Sequence, residues 1–221
     1  MALILSIETS TTNCSVSLSN EGEILVLKED YNTQYSHAEL LHLFIDDVLK
    51  NSGTKGNALD AIAISKGPGS YTGLRIGVSA AKGLCFALDK PLIAVSTLKS
   101  LAQQVVTEKG YIVSMLDARR LEVYSAVFDE NYNAVRSIQA EVLDKNSFSE
   151  FLDKEQVTFI GNGVEKTKSI IKHSNAKFID GKLPSANEMA ALAFNKYKIS
   201  DMEDVAYFEP YYLKDFVGLK S

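Results

Sequence analysis

The strongest constraint on the fold of this chain is a pattern of strands that occurs twice. In each half, three apolar runs separated by polar turns predict a three-stranded meander. The runs are 3–7, 14–18, 24–29, 112–116, 123–128 and 134–142. Glu8 and Asp117 end the first strand of each half and are 109 positions apart (117 − 8), as are the turn residues Asn20 and Asp129 (129 − 20). A fixed offset across two features favours an internal duplication.

The two halves also continue in the same way after each meander. A helical stretch leads to a short apolar strand, at 61–65 and at 157–160, that ends in a glycine pair and is followed by another helix. The repeated unit is therefore βββαβα. This unit is typical of the two-lobed actin-like ATPase fold, an α/β, ribonuclease H-like architecture that sugar kinases and heat-shock ATPases share. We expect lobes at 1–98 and 99–221, with a hinge within 96–109, where Ser96 offers a helix cap.

Composition restricts the class of protein and the kind of partner. The 221 residues are 46% apolar, and no apolar run is long enough to span a bilayer. The N-terminus has no basic region before its apolar run, so a cytoplasmic location is expected. Cys14 and Cys85 lie in apolar runs and are predicted to be buried, reduced thiols. The net charge of −5 implies that, if RNA is involved, a partner supplies most of the contact.

The most informative segment is the glycine-rich loop at 67–77, between a predicted strand and a predicted helix. Backbone N–H groups at a helix N-terminus suit an anion. The loop lacks the lysine of a Walker loop, and Thr72 replaces the third glycine of a dinucleotide fingerprint. A tight turn, with Thr72 as the helix cap, explains the same residues equally well. Arg75, one turn into the helix, could hold a phosphate or carboxylate, or form a surface ion pair.

In the actin-like fold, nucleotides bind in a cleft between the lobes, near the first hairpin and the glycine turns of both. Asp117 could hold water on a metal-nucleotide there, or cap the turn before Arg119. The Gly161-Asn162-Gly163 segment is either a second phosphate turn or an ordinary strand exit. The candidate cleft residues are Glu8, Thr9, Ser10, Gly67, Gly69, Ser70, Thr72, Asp117, Gly161 and Gly163.

The three histidines do not predict a metal site. His37 and His42 are five positions apart, about 140° around a helix, so they do not share one ion easily. His173 is remote from both in the sequence. All three are interpreted as surface or interface groups, and no metal or catalytic residue is predicted.

Two predicted helices carry wider apolar surfaces than one core needs. The helix at about 36–50 has a core-facing stripe, with Leu40 and Leu43 beside it. The helix after the glycine loop has a core stripe and a second stripe of mostly small residues. That second stripe is Gly77, Ala80, Leu84 and Ala87. Both extra surfaces are either covered within the chain or available to a partner.

The loop Gly67-Pro68-Gly69-Ser70-Tyr71-Thr72-Gly73-Leu74-Arg75-Ile76-Gly77 resembles the signature of the bacterial TsaB family, also called YeaZ. The resemblance extends in order through almost the whole chain. It includes Ile7-Glu8-Thr9-Ser10, the helix start at His37-Ala38-Glu39, Val95-Ser96-Thr97-Leu98, Leu116-Asp117-Ala118-Arg119 and the tail Glu209-Pro210-Tyr211. Many relatives have aspartate where this chain has Glu8, which argues against a metal-nucleotide role at that position.

The resemblance implies a non-catalytic subunit of the tRNA threonylcarbamoyladenosine (t6A) machinery. It would be required when a TsaD-type catalytic subunit transfers threonylcarbamoyl to N6 of the adenosine next to the anticodon, in tRNAs that read codons starting with A. A TsaE-type ATPase, indirect contact with tRNA, and an ATP or ADP site at the partner interface are also implied. In the family, the first two helices bind the catalytic subunit, or a second copy when that subunit is absent. The implied interface residues are His37, Leu40, Leu43, Arg75, Gly77, Ala80, Leu84 and Ala87.

Two other functional classes remain as alternatives at this stage. A small-molecule kinase would use Glu8 or Asp117 to position a magnesium nucleotide and would bind ATP tightly by itself. A metallopeptidase would need metal ligands, and the histidine spacing argues against that class.

Overall fold

The computed structural model describes residues 1–31 and 37–213, and its first sheet is built from the first half of the chain. The strands are β1 (Leu3–Glu8), β2 (Cys14–Asn20), β3 (Glu23–Asp30), β4 (Ala61–Ser65) and β5 (Leu92–Val95). Their order in the sheet is β3-β2-β1-β4-β5. The three meander strands are antiparallel, whereas β1, β4 and β5 are parallel to one another.

The second sheet has the same topology. Its strands are β6 (Tyr111–Asp117), β7 (Glu122–Phe128), β8 (Ala134–Val142), β9 (Val157–Ile160) and β10 (Ala176–Ile179). Their order is β10-β9-β6-β7-β8, which repeats the first sheet strand for strand. The predicted duplication is therefore confirmed. The repeated unit is longer than expected, because each half adds a fifth, parallel strand, β5 or β10.

The helices connect and cover these strands. They are α1 (His37–Asn51), α2 (Tyr71–Leu88), α3 (Thr97–Ala102), α4 (Ser149–Leu152), α5 (Val164–Ile170) and α6 (Ala186–Lys198), and a 3-10 turn occupies Gly56–Ala58. The N-cap of α2 is Ser70, whose Oγ accepts a hydrogen bond from the Gly73 N–H at 3.2 Å. The expectation that Thr72 caps this helix is wrong, because Thr72 is an exposed residue of the first turn.

Both faces of the first sheet are covered by helices. On one face, α1 and α2 pack Leu41, Ile45 and Val78 against β1 and β4. On the other face, α6 packs Met189 and Ala193. Its partners there are Ile4, Ala61, Ala63, Ile93 and Val95. Because strand side chains alternate between faces, the continuous apolar run of β4 is explained by a sheet that is buried on both sides.

The chain divides into two compact units. The first contains Met1–Ser100 together with Pro184–Tyr211, and the second contains Leu101–Leu183. The predicted boundary at 98/99 lies close to the observed one at 100/101. The assignment of the whole tail to the C-terminal lobe is wrong, because Pro184–Tyr211, with α6, belongs to the first unit.

The two cysteines are free thiols in buried positions, as predicted. Burial raises the pKa of Cys14 and of Cys85 to about 12, so both stay protonated at neutral pH. No helix in the part of the chain that the structure describes is long and apolar enough to span a bilayer.

Candidate functional site

The turn between β1 and β2 is held directly against the glycine loop. The Ser70 N–H donates to the carbonyl oxygen of Ser10 at 2.6 Å. The Thr9 hydroxyl donates to the carbonyl oxygen of Gly73 at 2.8 Å, in a fully buried contact. One backbone donor at the start of α2 is therefore used within the chain, and the two segments form one rigid unit of local structure.

Three glycines make this close approach possible. A Cβ atom at Gly69 would lie 2.5 Å from the Ser10 carbonyl oxygen, and one at Gly73 would lie 2.1 Å from that of Thr9. At Gly77 it would lie 2.2 Å from Thr9 Oγ1. A spacing of four residues places Gly73 and Gly77 on one face of α2, and Gly69 lies just before the N-cap Ser70. The glycines are thus required by packing, which favours the tight-turn interpretation of the loop.

Gly67 has a different reason to be glycine. Its φ is +106°, and a Cβ atom there would lie 2.9 Å from the carbonyl oxygen of Tyr211. The Tyr211 N–H donates to the carbonyl oxygen of Lys66 at 2.7 Å. The C-terminal segment is therefore attached to the beginning of the glycine loop.

Glu8 is a buried carboxyl group at the end of β1. Its Oε1 accepts hydrogen bonds from the Ser10 N–H at 2.6 Å and from the Ser65 hydroxyl at 2.9 Å. Its Oε2 is buried, with no hydrogen-bond partner among the described residues. Burial raises the pKa of Glu8, against the opposing effect of these hydrogen bonds. The surroundings favour a neutral acid, whereas magnesium binds the ionised carboxylate.

Asp117 ends β6 in the second unit, in a solvent-exposed position. Its Oδ1 accepts a hydrogen bond from the Arg119 N–H at 2.6 Å and lies 3.0 Å from the Lys166 ammonium. Its own N–H donates to Asn162 Oδ1 at 2.9 Å. The carboxylate therefore caps the turn before Arg119, which was one of the two predicted roles.

Gly161 and Gly163 follow β9 and pack against β6. Gly161 has φ +114°, and a Cβ atom there would lie 2.0 Å from the Met115 carbonyl oxygen. A Cβ atom at Gly163 would lie 3.1 Å from Val123 Cγ1. Both positions are explained as a strand exit that passes close to a neighbouring strand.

The candidate cleft residues thus fall into two local groups. In the first unit, the structure brings Thr9 and Ser10 into contact with the glycine loop, whereas Glu8 is bonded to Ser10 and to Ser65 at the end of β4. Thr72 lies apart from them on the exposed side of α2. In the second unit, it joins Asp117 to the β9–α5 turn through Asn162. Across residues 1–31 and 37–213, no three His, Cys, Asp or Glu side chains are arranged so that they could hold a metal ion. Nucleotide binding stays a prediction.

Two of the predicted interface residues are not on the surface. His37 is buried, its Nε2 lies 2.6 Å from the Thr11 carbonyl oxygen, and burial lowers its pKa. The interpretation of His37 as a surface group is therefore wrong, because it fastens the start of α1 to the β1–β2 turn. The placement of Gly77 on the outward stripe of α2 is also wrong, because it packs against Thr9 and Ile64.

The other predicted interface residues differ in exposure. Leu43 is 59% exposed, and Ala87 and Arg75 also lie at the surface. Leu40, Ala80 and Leu84 are partly buried against the core of the first unit. The Arg75 guanidinium lies over the ring of Tyr71, 4.0 Å from its centroid.

Sequence reasoning missed Phe86, which is 88% exposed and is the most prominent apolar side chain of α2. It immediately follows the buried Cys85 and lies about 100° further around the helix. The signal in the sequence is that Phe86 is a large apolar residue that belongs to neither predicted stripe of this helix.

Comparisons with known proteins agree on tRNA threonylcarbamoyladenosine biosynthesis. A family model described as TsaD, tRNA N6-adenosine threonylcarbamoyltransferase, matches residues 31–218. The tRNA threonylcarbamoyladenosine biosynthesis protein TsaB of Escherichia coli is 32% identical, over 99% of this chain and 97% of its own length. The TsaB of Haemophilus influenzae is also 32% identical, over 99% and 96%.

A solved structure agrees with this assignment and with the predicted fold class. YeaZ from Pseudomonas aeruginosa superposes with a TM-score of 0.80 at 27% identity, covering 96% of this chain and all of that chain. A TM-score of this size shows that the two chains have the same fold. This chain belongs to the TsaB (YeaZ) family of tRNA threonylcarbamoyladenosine biosynthesis proteins.

Proposed function

We propose that this chain is the non-catalytic subunit that a TsaD-type catalytic subunit requires for threonylcarbamoyl transfer to N6 of the adenosine next to the anticodon. The product would be t6A in tRNAs that read codons starting with A. The observation that carries the proposal is the match, over nearly the full length of both proteins, to curated TsaB proteins.

The chemistry of the candidate carboxylates supports a role without catalysis. Glu8 is buried under conditions that favour its neutral form, and its Oε1 is occupied by Ser10 and Ser65. Asp117 is occupied by a backbone N–H and by Lys166. Neither carboxylate is arranged to hold a magnesium nucleotide without first losing these local contacts.

The surface of α1 and α2 supports a role through a protein partner. Leu43, Phe86 and Ala87 present apolar atoms to solvent on these two helices. Exposed aromatic and aliphatic residues of this kind are typical of the centre of a protein interface. We propose that this surface binds the TsaD-type subunit, and that two copies of the chain pair through it when that subunit is absent.

A TsaE-type ATPase and a nucleotide at the partner interface complete the proposed assembly. The acidic net charge of −5 fits a subunit that leaves most of the tRNA contact to its partner. A cytoplasmic location is part of the same proposal, since tRNA modification takes place where tRNA is.

Reconstitution tests the proposed function. The purified chain, a TsaD-type subunit, a TsaE-type ATPase, a threonylcarbamoyl-adenylate donor, ATP and unmodified tRNA are combined, and t6A is quantified by mass spectrometry after digestion of the tRNA. We expect t6A only when the chain and the catalytic subunit are both present. Full activity of the catalytic subunit alone, or turnover by this chain alone, would show that the proposal is wrong.

A further inference from the structure

We propose that the turn between β6 and β7, which presents Arg119 and Arg120, binds the phosphate backbone of the tRNA substrate. The inference deepens the proposed function and rests on it, because it assigns part of the RNA contact to this chain. We call Arg119 and Arg120 the arginine turn.

The first observation is the conformation of these two arginines. Arg119 has φ +72° and Arg120 has φ +49°, so two successive residues with side chains lie in the left-handed region. Each of these conformations costs about 1–2 kcal/mol relative to glycine, which adopts the left-handed region without steric strain. Fold stability alone would favour glycine or asparagine at both positions. Such backbone outliers are typical of functional sites.

The second observation is that the turn is fixed from several sides. The Ala118 N–H donates to the Glu122 carbonyl oxygen at 3.0 Å, and the Glu122 N–H donates to that of Arg119 at 3.0 Å. The Lys166 ammonium donates to the carbonyl oxygens of Arg120 and Glu122 at 2.8 and 2.9 Å. The two guanidinium groups therefore project from a backbone that is already ordered before any ligand arrives.

The third observation is the balance of charge around the turn. Two carboxylates belong to the turn, Asp117 and Glu122, and the Oδ1 of Asp117 is engaged by Lys166 and by the Arg119 N–H. Within the part of the chain that the structure describes, neither arginine of the turn has a carboxylate within ion-pair distance, and both are exposed. With Lys166, Asp117 and Glu122 counted, the local formal charge is +1 (3 − 2), on a chain whose net charge is −5.

An exposed pair of guanidinium groups, with no carboxylate partner among the described residues, fits a polyanion on this acidic protein. The planar guanidinium binds phosphate oxygens through two parallel hydrogen bonds, and arginine is preferred where phosphates are recognised. In a complex that modifies tRNA, the polyanionic substrate is the tRNA itself. Contacts to its phosphates position a nucleic acid without reading its sequence. An acidic segment of a protein partner is the competing occupant, and the test separates the two.

The test compares two double variants in the assembled complex with the TsaD-type subunit. The first, Arg119→Asn with Arg120→Asn, removes both charges and places at both positions a residue that adopts positive φ more readily. The control, Lys55→Gln with Lys145→Gln, removes two charges at exposed lysines elsewhere. Binding of labelled, unmodified tRNA is measured by fluorescence anisotropy over a range of salt concentrations, and thermal unfolding of each chain is recorded.

We expect the arginine variant to bind tRNA at least about fivefold more weakly at physiological salt. The slope of log affinity against log salt should fall by about 1.5, because roughly 0.7 to 0.9 is lost per phosphate contact. Its thermal midpoint should be equal to or higher than that of the unmodified chain, which a merely structural role for the arginines would not produce. The control should change neither the slope nor the affinity by more than about twofold.

Three results would overturn the inference. The first is that the arginine variant keeps the tRNA affinity and the salt slope of the unmodified chain. The second is that the control variant loses as much tRNA affinity as the arginine variant. The third is that the arginine variant no longer assembles with the TsaD-type subunit, which would assign the turn to a protein partner. Formation of t6A by the unmodified mixture is scored separately, so failure of the proposed function is distinguished from failure of this inference.

Discussion

Gly73 and Gly83 lie in the same helix, α2, but only one of them has room for a side chain. A Cβ atom at Gly73 would lie 2.1 Å from the Thr9 carbonyl oxygen, whereas at Gly83 no atom lies within 4 Å. A side chain at Gly73 tests the packing of the glycine loop, whereas a side chain at Gly83 tests only the low helix propensity of glycine.

Replacement of each glycine by alanine should have opposite effects. Gly73→Ala should lower the free energy of unfolding by about 3 kcal/mol, because the backbone of the β1–β2 turn or of α2 must move to admit the methyl group. Gly83→Ala should raise it by about 0.8 kcal/mol, because alanine is the better helix former. Urea denaturation of both variants measures these changes. Equal effects of the two substitutions would contradict the packing explanation.

Glu8 provides a prediction about pH. Because burial raises the pKa of Glu8 in the folded state, the folded protein holds a proton that the unfolded chain releases above its ordinary pKa of about 4.5. This contribution favours folding at low pH. It is lost as pH rises from about 4.5 to the raised pKa of the folded state, and above that value it no longer changes.

The Glu8→Gln variant should lack this dependence, because glutamine keeps the shape of the side chain and cannot ionise. We expect the stability of the variant, relative to the unmodified chain, to increase between pH 5 and pH 8. Chemical denaturation at several pH values measures the difference, and Glu108→Gln at an exposed position is the matched control. A constant difference across this range would show that Glu8 ionises normally in the folded protein.

At the scale of elements, α2 is a helix with several distinct faces. One face packs against the core through Val78, Ala81 and Cys85, and the glycine face packs against the β1–β2 turn. Ala80 and Leu84, which the sequence placed on an outward stripe, are partly buried beside α1 and the C-terminal segment. The surface left for a partner therefore centres on Phe86 and Ala87.

Charged substitutions on this surface should abolish binding to the TsaD-type subunit without unfolding the chain. Phe86→Arg removes an aromatic side chain that is 88% exposed and adds a charge that an interface would have to bury. We expect a loss of affinity of at least about a hundredfold by calorimetry, with little change in thermal midpoint. Leu121→Arg, at an apolar residue of the second unit that is 54% exposed, is the control. Retained affinity in Phe86→Arg would move the interface elsewhere.

At the scale of the whole molecule, the first unit is completed by a helix from the end of the chain. After the second sheet, the chain returns to the first unit, where the start of α6 is hydrogen-bonded to β2. The Ser17 hydroxyl donates to the Ala186 carbonyl oxygen at 2.8 Å, and the Ala186 N–H donates to Ser15 Oγ at 3.0 Å. Without this return, one face of the first sheet would lose its cover of apolar side chains from α6.

A fragment that ends at the predicted lobe boundary should therefore not fold. We expect residues 1–100 alone to show no cooperative thermal transition by circular dichroism, because Ile4, Ile93 and Val95 would be exposed. Fusion of residues 184–211 to this fragment through a flexible linker should restore the transition. A fusion in which Met189→Asp disrupts the apolar face of α6 is the control. Cooperative unfolding of 1–100 alone would contradict the role given to α6.

The sequence was sufficient for most features that depend on local periodicity, although the short strands β5 and β10 were not predicted. The meander strands and β4 and β9 lie within two residues of their predicted limits, because alternation and apolar runs are properties of a short segment. The duplication could be recognised for the same reason, and the signature loop identified the family.

Other features depend on contacts between residues that are far apart in the chain, and these emerged only from the folded structure. Ser70 rather than Thr72 caps α2, His37 is buried, Gly77 faces Thr9, and α6 covers the first sheet. In each case a partner from a distant segment determines the outcome. Periodicity shows which side chains are apolar or small, but it does not show which distant segment will lie against them.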